Sequence, residues 1–353
     1  MTLKAALIIC GGFFVCTSAL GQVVSPQPTG RTRQAPRPVP QQTQPNGAEG
    51  IENESPSLNE PSSRTKPRRA RRTIPEYFYR PSGGKIAIEA TGILPMGKTE
   101  LSLDSVGKIA DIEASGSSFD LRASYGISPL FAIGIGTGYG TSTLDIKSTN
   151  PSLPSNTSSK SSGMTDVRVF AGSTIPMGVM AISAELDFSF SPGNAKESSN
   201  TGEGNMYSGG HSVEPRFGAA FNLGSAGWLG AQIGYEYEME RTSDSSTGSS
   251  KITGGDSLTA TAFYELRAGM IYVSPAIGFT QTGETKTTSG SGTSTSASSS
   301  STFYGIRAGV IPAPGMRFLL QYAMTPRPEE TRSSLKIAAY SIHALGASAL
   351  FEF

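Results

Sequence analysis

A charged motif recurs along this chain and limits what it can fold into. Five arginines, Arg122, Arg168, Arg216, Arg267 and Arg307, are spaced 46, 48, 51 and 40 residues apart, and four of them follow an acid by two positions. The motifs are Asp120-Leu-Arg122, Asp166-Val-Arg168, Glu214-Pro-Arg216 and Glu265-Leu-Arg267, and Arg307 follows without an acid. Side chains alternate along a β-strand, so an acid and an arginine two residues apart share one face. The repeat therefore predicts strands with one charged face and one apolar face.

The alternation of apolar and polar residues is clearest in residues 180–190 and 228–239. In the second segment the apolar set is Leu229, Ala231, Ile233, Tyr235, Tyr237 and Met239, and Gly230, Gln232, Gly234, Glu236 and Glu238 lie between its members. A charged side chain in hydrocarbon costs several kcal/mol, so we expect the apolar set to face lipid and the glutamates to face a lumen. After residue 21 the chain has no run of about 18 apolar residues, which leaves a closed barrel as the structure that can span a membrane.

Turn-forming residues divide the chain from residue 84 onward into strands. Short turns are predicted at 127–129, 175–178, 223–227, 273–275 and 311–315, and long Ser/Thr/Gly/Asn-rich connections at 145–162, 191–209, 241–256 and 283–301. The prediction is all-β: an antiparallel up-and-down transmembrane β-barrel of about twelve strands, with Tyr125, Trp228, Tyr322 and Phe351 at its lipid interfaces. Fourteen strands are the alternative, because Leu94-Pro-Met-Gly97 resembles the turn Ile175-Pro-Met-Gly178.

The first 82 residues differ in composition from the rest. Residues 1–21 follow the plan of a secretory signal peptide and contain both cysteines, Cys10 and Cys16, so the mature chain is expected to contain no thiol. Residues 22–82 contain eleven prolines and ten basic against five acidic residues, which predicts a disordered, basic, Pro-rich periplasmic arm. The basic run at 64–72 is either a solvated linker or a contact for an anionic periplasmic partner such as peptidoglycan. Residues 83–353 are the predicted barrel.

The last strand carries a family resemblance. It reads Ala344-Leu-Gly-Ala-Ser-Ala-Leu-Phe-Glu-Phe353, with alternate apolar residues and a terminal phenylalanine. Together with the signal peptide and the twelve-strand alternation, this segment resembles the Gram-negative outer-membrane β-barrel proteins. The resemblance implies an outer-membrane location with both termini in the periplasm. It also implies that the barrel assembly machinery reads Leu345, Phe351 and Phe353. It implies no particular activity, because pores, enzymes, adhesins and anchors share this fold.

The inward charges are the candidate functional residues. We predict a lumen charge belt formed by Asp120, Arg122, Asp166, Arg168, Glu185, Glu214, Arg216, Glu236, Glu265, Arg267 and Arg307. The belt is either a ladder of paired charges that fills the lumen or a constriction that filters solutes by charge. Ala132, Gly134, Gly136, Gly138 and Gly140 are predicted to point inward and leave space. Their strict period of two, with no helix following, differs from a dinucleotide-binding motif.

Three function classes follow from these observations. The first is a narrow, general small-solute pore or a structural membrane protein, without enzymatic activity. The second is a membrane-embedded hydrolase with His211 or His343 at the rim. The third is a surface adhesion or anchoring protein that uses the Ser/Thr-rich connections. No cofactor, metal or nucleic-acid partner is predicted. Two histidines without a mature cysteine make a poor set of metal ligands.

Overall fold

The fold is a closed antiparallel β-barrel. The structure is a computed structural model that describes residues 74–103, 107–149, 157–197, 203–245, 248–290, 292–332 and 335–353. Its strands are β1 (Ile86–Leu103), β2 (Gly107–Ser128), β3 (Phe131–Ser148), β4 (Thr157–Met164), β5 (Val167–Met177), β6 (Met180–Phe190), β7 (Ala195–Lys196), β8 (His211–Asn222), β9 (Trp228–Glu238), β10 (Arg241–Ser245), β11 (Gly248–Gly254), β12 (Ser257–Ala268), β13 (Ile271–Thr282), β14 (Thr285–Ser289), β15 (Gly292–Ser296), β16 (Ser299–Val310), β17 (Met316–Arg327), β18 (Glu330–Arg332), β19 (Leu335–Ile337) and β20 (Tyr340–Glu352). Short 3-10 turns lie at Glu76–Phe78 and Gly224–Ala226.

Twelve of these strands form the barrel wall. Their order is β1-β2-β3-β5-β6-β8-β9-β12-β13-β16-β17-β20, and β20 pairs with β1 to close the circle. The prediction of twelve strands is confirmed. The alternative of fourteen is wrong, because residues 94–97 continue β1: Met96 pairs with Ser115 on one side and with His343 on the other. A closed barrel leaves no unpaired sheet edge in its wall, which satisfies the backbone in lipid.

Five short connections lie at one end of the barrel, which we call the turn rim. They join β2 to β3, β5 to β6, β8 to β9, β12 to β13 and β16 to β17. The predicted turn at 273–275 is wrong, since these residues lie inside β13 and the chain turns at Gly269, whose φ is +62°. Pro275 has no N–H to donate, and the pairing of β12 with β13 is interrupted opposite it, between Phe263 and Leu266.

The outer face of the wall is apolar. Ile233 on β9 is 47% exposed and Leu186 on β6 is 51% exposed, whereas Glu185 and Glu265, which point inward, are buried. This is the alternation predicted from the sequence, and an apolar outer face of this extent fits a barrel surrounded by lipid. Trp228 is a correction to the predicted interfacial aromatics. It shares the inward side of β9 with Gly230, and it belongs to a buried apolar cluster inside the barrel that includes Phe78 and Phe263.

An arginine placed on this outer face tests its contact with lipid. Ile233 lies at the middle of β9, so we expect Ile233→Arg to lower the free energy of unfolding by about 2–4 kcal/mol, because the guanidinium meets the hydrocarbon midplane. Tyr237→Arg, outward on the same strand but near its end, is the matched control, with an expected loss of about 0–1 kcal/mol. Equal small losses in denaturant titrations of the lipid-refolded chain would contradict a lipid-facing surface.

The long connections at the opposite end, the loop rim, contain strands of their own. β15, β14, β11, β10 and β7 form a separate five-stranded sheet, β4 extends the edge of β3, and β18 and β19 pair onto β1. Asp244 in β10 accepts hydrogen bonds from Ser249 and Asn194, which lower the pKa of its carboxyl. The Ser/Thr-rich composition is therefore compatible with ordered sheet where neighbouring hairpins can pair. Across the described ranges, no helix is long and apolar enough to cross a membrane.

The first three strands extend beyond the lipid-facing band at the loop rim, and their polarity inverts there. On the outer face, Glu113 of β2 forms ion pairs of 2.8 Å with Lys98 and 2.7 Å with Lys147. On the inner face, Leu101, Ile109, Ala110, Ile112, Leu144 and Ile337 form an apolar cluster. Charged side chains facing outward and an apolar core facing inward are the pattern of a sheet in water. This change in polarity places one boundary of the lipid band between Met96 and Lys98 on β1.

Candidate functional site: a chain segment inside the barrel

Residues 74–81, which precede the first strand, lie inside the barrel near the turn rim. Each of these residues, here called the lumen segment, is buried, and Phe78 and Tyr79 have no exposed surface. The segment contacts inward side chains of β5, β6, β8, β12, β16, β17 and β20, which lie around the whole circumference. The predicted disordered arm of 22–82 is therefore corrected at its C-terminal end. Residues 22–73 lie outside the described residues.

The sequence of the lumen segment explains its burial. It reads Ile74-Pro-Glu-Tyr-Phe-Tyr-Arg-Pro81, with three consecutive aromatic residues between two prolines. Aromatic side chains carry a large apolar area, and a hydrated linker has few of them. The two prolines restrict the backbone on either side, and the chain forms a 3-10 turn at Glu76–Phe78. These aromatic residues were the available sign that the arm ends before residue 74.

The acidic end of the lumen segment binds to the wall formed by β12 and β17. Glu76 Oε1 lies 2.8 Å from Arg267 Nη1, and Glu76 Oε2 lies 3.1 Å from Arg317 Nη1. The backbone N–H groups of Glu76 and Tyr77 donate to the two carboxylate oxygens of Glu265, at 3.0 and 3.2 Å. One turn of the segment is thus held through both its side chain and its backbone. Charge-assisted hydrogen bonds of this kind are among the stronger polar contacts in proteins.

The aromatic centre of the segment fills the middle of the lumen. The Tyr77 ring stacks on Phe263 with centroids 3.9 Å apart, and the Arg307 guanidinium lies 4.5 Å from the Tyr77 centroid. The Phe78 ring packs edge-on against Phe263, and Tyr79 lies under the Arg317 guanidinium at 3.2 Å. Stacking and cation–π contacts each contribute about 0.5–2 kcal/mol. Aromatic packing therefore adds to the ion pairs in holding the segment.

The basic end of the segment binds to β6. Arg80 Nη2 lies 2.9 Å from Glu185 Oε2, and both side chains are almost completely buried. The other oxygen of Glu185 lies 2.9 Å from Arg216 Nη1, so one carboxylate bridges the segment and the wall. Gly172 of β5 makes room for Arg80, because a Cβ there would lie 2.5 Å from the guanidinium. A cavity of about 10 Å³ remains beside Arg80, which is space for roughly one water molecule.

Arg216 is the centre of the largest ion-pair cluster on the wall. Its Nε donates to Glu214 Oε1 at 2.7 Å, and its Nη1 lies 3.0 Å from Asp187 in addition to the contact with Glu185. This acid-x-arginine pair has the geometry expected from the sequence. Arg267 reaches Glu76 of the lumen segment, and Glu265 holds the backbone of that segment. Some residues of the predicted belt therefore form ion pairs within the wall, and others bind the lumen segment.

The remaining predicted lumen residues lie nearer the loop rim or pack against other wall side chains. The Arg122 guanidinium lies 4.1 Å from the Phe170 ring centroid, and Arg168 interacts electrostatically with Asp120. Asp166 accepts a hydrogen bond from the Ser208 backbone, and Glu236 accepts hydrogen bonds from the hydroxyls of Ser212 and Ser257. The structure does not gather all eleven residues at one constriction.

The space in front of the inward-facing glycines of β3 is occupied by other side chains. A Cβ on Gly134 would overlap the Phe170 ring, one on Gly136 would meet Arg122 at 3.0 Å, and one on Gly140 would meet Met206 at 2.9 Å. The space that these glycines leave is therefore occupied by side chains of neighbouring strands and of the connection that follows β6. The glycines point inward and leave space for these side chains, so they do not by themselves open a passage.

Both histidines lie on the outer face of the wall. His343 shares the outward side of β20 with Leu345, and its Nδ1 lies 2.7 Å from the Tyr322 hydroxyl. His211 stacks on Phe188, an outward residue of β6. Neither side chain points into the lumen. Within the described residues, no group of three His, Cys, Asp or Glu side chains could hold a metal ion.

The final strand presents its apolar alternate residues outward. Leu345 is 51% exposed and Phe353 is 66% exposed, and Phe351 packs edge-on against Phe318 of β17. The outer face of β20 is therefore apolar, as expected for a surface in contact with lipid. Reading of these residues by the assembly machinery stays a prediction.

Several residues of the site were not predicted from the sequence. They are Glu76, Tyr77, Phe78, Tyr79 and Arg80 of the lumen segment, and Glu89, Phe263 and Arg317 of the wall. Asp187 lies inward, as the alternation over residues 180–190 predicts, and Arg317 follows the inward alternation of its strand, so periodicity could have found it. Glu76 and Arg80 could not be paired with wall partners, because nothing in a single sequence indicates which strands a segment that precedes the barrel will touch.

Comparison with known proteins identifies the fold. An outer membrane channel from Pseudomonas putida F1 is similar, with a TM-score of 0.50 and 11% sequence identity over 77% of this chain and 96% of that chain. The chain has the fold of the Gram-negative outer-membrane β-barrels. The toluene transporter TodX of P. putida (TM-score 0.42, 12% identity, 76% and 90% coverage) is also similar. So is the translocator domain of the autotransporter NalP from Neisseria meningitidis (0.39, 11%, 77% and 90%). No family model and no curated protein sequence matches the chain.

Proposed function

We propose that this protein is an outer-membrane channel for small solutes whose lumen is closed by residues 74–81. The observation that carries the proposal is the lumen segment itself: a stretch of the chain that enters from before β1 and is bound to the wall by side-chain and backbone contacts. A segment that belongs to none of the strands can leave the lumen without breaking the barrel. The twelve-strand wall would then line a passage.

Barrel size supports this proposal. Barrels of about eight strands are filled by their own side chains, and those of about 16 to 18 strands enclose an aqueous channel. A barrel of twelve strands lies between these limits. Here the wall side chains occupy part of the interior, and the lumen segment occupies the rest near the turn rim. The segment is therefore the structural difference between a closed barrel and one with a narrow passage.

The proposal includes the location and topology inferred from the sequence. Residues 1–21 direct export and are removed, the barrel inserts into the outer membrane through the assembly machinery, and the turn rim faces the periplasm. The basic arm then begins in the periplasm, where it meets an anionic partner such as peptidoglycan. The apolar outer face and the short connections of the turn rim support this orientation.

Displacing the segment by a bulky side chain tests the proposal. A Cβ at Gly218 would lie 2.6 Å from the Phe78 ring, so Gly218→Leu places a side chain where Phe78 lies. Overpacking of this kind costs about 1–3 kcal/mol, which lowers the ratio of closed to open barrels by about five- to 150-fold. We expect proteoliposomes with the full-chain variant to swell in small sugars several times faster than those with the wild type.

The matched control is Gly92→Leu. Gly92 lies on the outward side of β1, and a Cβ there would meet only the Ser118 carbonyl oxygen, at 3.9 Å. The control adds the same side chain on the lipid side and is expected to swell like the wild type. If Gly218→Leu folds, as judged by circular dichroism, and still admits no solute, the barrel is a structural protein and the channel proposal is wrong.

A further inference from the structure

The lumen segment carries opposite charges at its two ends, and the wall holds them on different sides. The Glu76 carboxylate lies between Arg267 and Arg317, on β12 and β17. The Arg80 guanidinium lies against Glu185 on β6. In the closed order of twelve strands, β6 and β17 are six places apart, so Glu185 and Arg317 belong to opposite sides of the lumen.

The two sides of the wall carry net charges of opposite sign. The side formed by β6 and β8 has three carboxylates, Glu185, Asp187 and Glu214, around one guanidinium, Arg216. The side from β12 to β17 has three guanidiniums, Arg267, Arg307 and Arg317, near one carboxylate, Glu265. Between them, Glu89 and Arg122 line the cavity beside Arg80, and Glu352 of β20 accepts a hydrogen bond from the hydroxyl of Tyr79, whose ring lies under Arg317.

The bound segment balances both sides: Arg80 adds a positive charge to the acidic side, and Glu76 adds a negative charge to the basic side. When the segment leaves, each side keeps its excess, and a field crosses the lumen. Charges on low-dielectric walls are weakly screened, and a narrow passage focuses their field. A solute with one sign of charge is attracted to one side and repelled by the other. A solute with both signs can pair with both sides at once, as the segment does.

We infer that the open lumen selects dipolar solutes, namely zwitterions of short-peptide size that carry a carboxylate at one end and a cationic group at the other. This inference rests on the proposed channel function and adds its substrate class. The lumen segment pairs with the same wall charges that such a solute would bind, so the segment and the solute compete for these charges. The Tyr77 ring between Phe263 and Arg307 shows that an aromatic group fits between the charged ends.

Solute entry into proteoliposomes tests this inference. The full chain carrying Gly218→Leu is compared for the dipeptide Glu-Arg, which bears charges of both signs, and for sucrose, a neutral solute of similar size. We expect the dipeptide to enter about tenfold faster, which corresponds to an advantage of about 1.4 kcal/mol. We also expect the preference to fall toward unity in 1 M salt, where the screening length is about 3 Å.

Two variants of the wall complete the test. Adding Glu185→Gln and Arg317→Met to the Gly218→Leu chain removes one charge from each side. Both residues also bind the lumen segment, so entry of both solutes is expected to rise, while the ratio of dipeptide entry to sucrose entry is expected to fall severalfold. Salt screening of the unaltered wall gives the same information if this variant does not fold. Equal entry of dipeptide and sucrose would overturn the selectivity and leave the channel. Entry of neither solute would overturn the channel itself.

Discussion

Replacing Arg216 by methionine is expected to lower the free energy of unfolding by about 3–5 kcal/mol, the usual cost of breaking a buried ion pair from one side. Arg216 is the partner of Glu185, Asp187 and Glu214, and its side chain is 10% exposed. Methionine fills a similar volume but leaves three carboxylates close together, while Arg80 still contacts Glu185. The measurement is denaturant unfolding of the lipid-refolded chain.

The control for Arg216→Met is Lys251→Met in the loop-rim sheet. Lys251 forms an ion pair of 2.9 Å with Glu240, but its side chain is 66% exposed. Exposed pairs contribute about 0–1 kcal/mol, so this variant should unfold nearly as the wild type does. A loss below about 1 kcal/mol for Arg216→Met would show that the cluster around it is open to water and is not the buried network described here.

Reversing the charge of Arg80 is expected to expel the lumen segment. Arg80→Glu replaces the buried pair with Glu185 by a repulsion and adds a fourth carboxylate beside Glu185, Asp187 and Glu214. A loss of about 3–5 kcal/mol in the closed state corresponds to more than a 100-fold shift toward open barrels. Hydroxyl-radical footprinting of the full chain should then label Tyr77 and Tyr79, which are protected in the wild type.

Arg80→Lys is the matched variant for this expulsion. It keeps the positive charge toward Glu185 and should leave the tyrosines mostly protected, although lysine lacks the planar geometry of a guanidinium. Continued protection of Tyr77 and Tyr79 in Arg80→Glu would mean that Glu76 and the aromatic contacts hold the segment without its basic end. The segment would then be a permanent part of the core.

Much of the barrel could be predicted from the sequence, because lipid imposes a simple rule on each strand. Residues 228–238 alternate strictly, and their apolar set faces outward as expected. Beyond the lipid band, apolar residues no longer need to face outward, so the alternation no longer indicates which residues point into the barrel. Residues 97–103 continue β1 beyond the lipid band with the opposite polarity, so the alternation gave no sign that the strand goes on. Proline is typical of turns, but a local gap in the β12–β13 pairing accommodates Pro275 within β13.

Contacts within one strand of the candidate site could be predicted from the sequence, but contacts between the wall and the lumen segment could not. Arg216 and Glu214 pair as their spacing indicates, since both lie on one strand and the geometry is local. Arg267 has the same spacing from Glu265, yet both side chains bind residue 76 or its backbone, 189 to 191 positions away. Such contacts depend on which segment enters the lumen and on how deep it reaches. A single sequence contains the charges but not that path.

The single-channel current of the full-length protein in a planar bilayer shows whether residues 74–81 close a channel. Wild type, Gly218→Leu, Arg80→Glu and the outward control Gly92→Leu are compared under the same voltage and salt. We expect rare openings for the wild type and for Gly92→Leu, and steady conductance for the two variants that displace the lumen segment. Folded Gly218→Leu and Arg80→Glu barrels that stay silent would contradict this expectation, as would a wild type that conducts as well as they do.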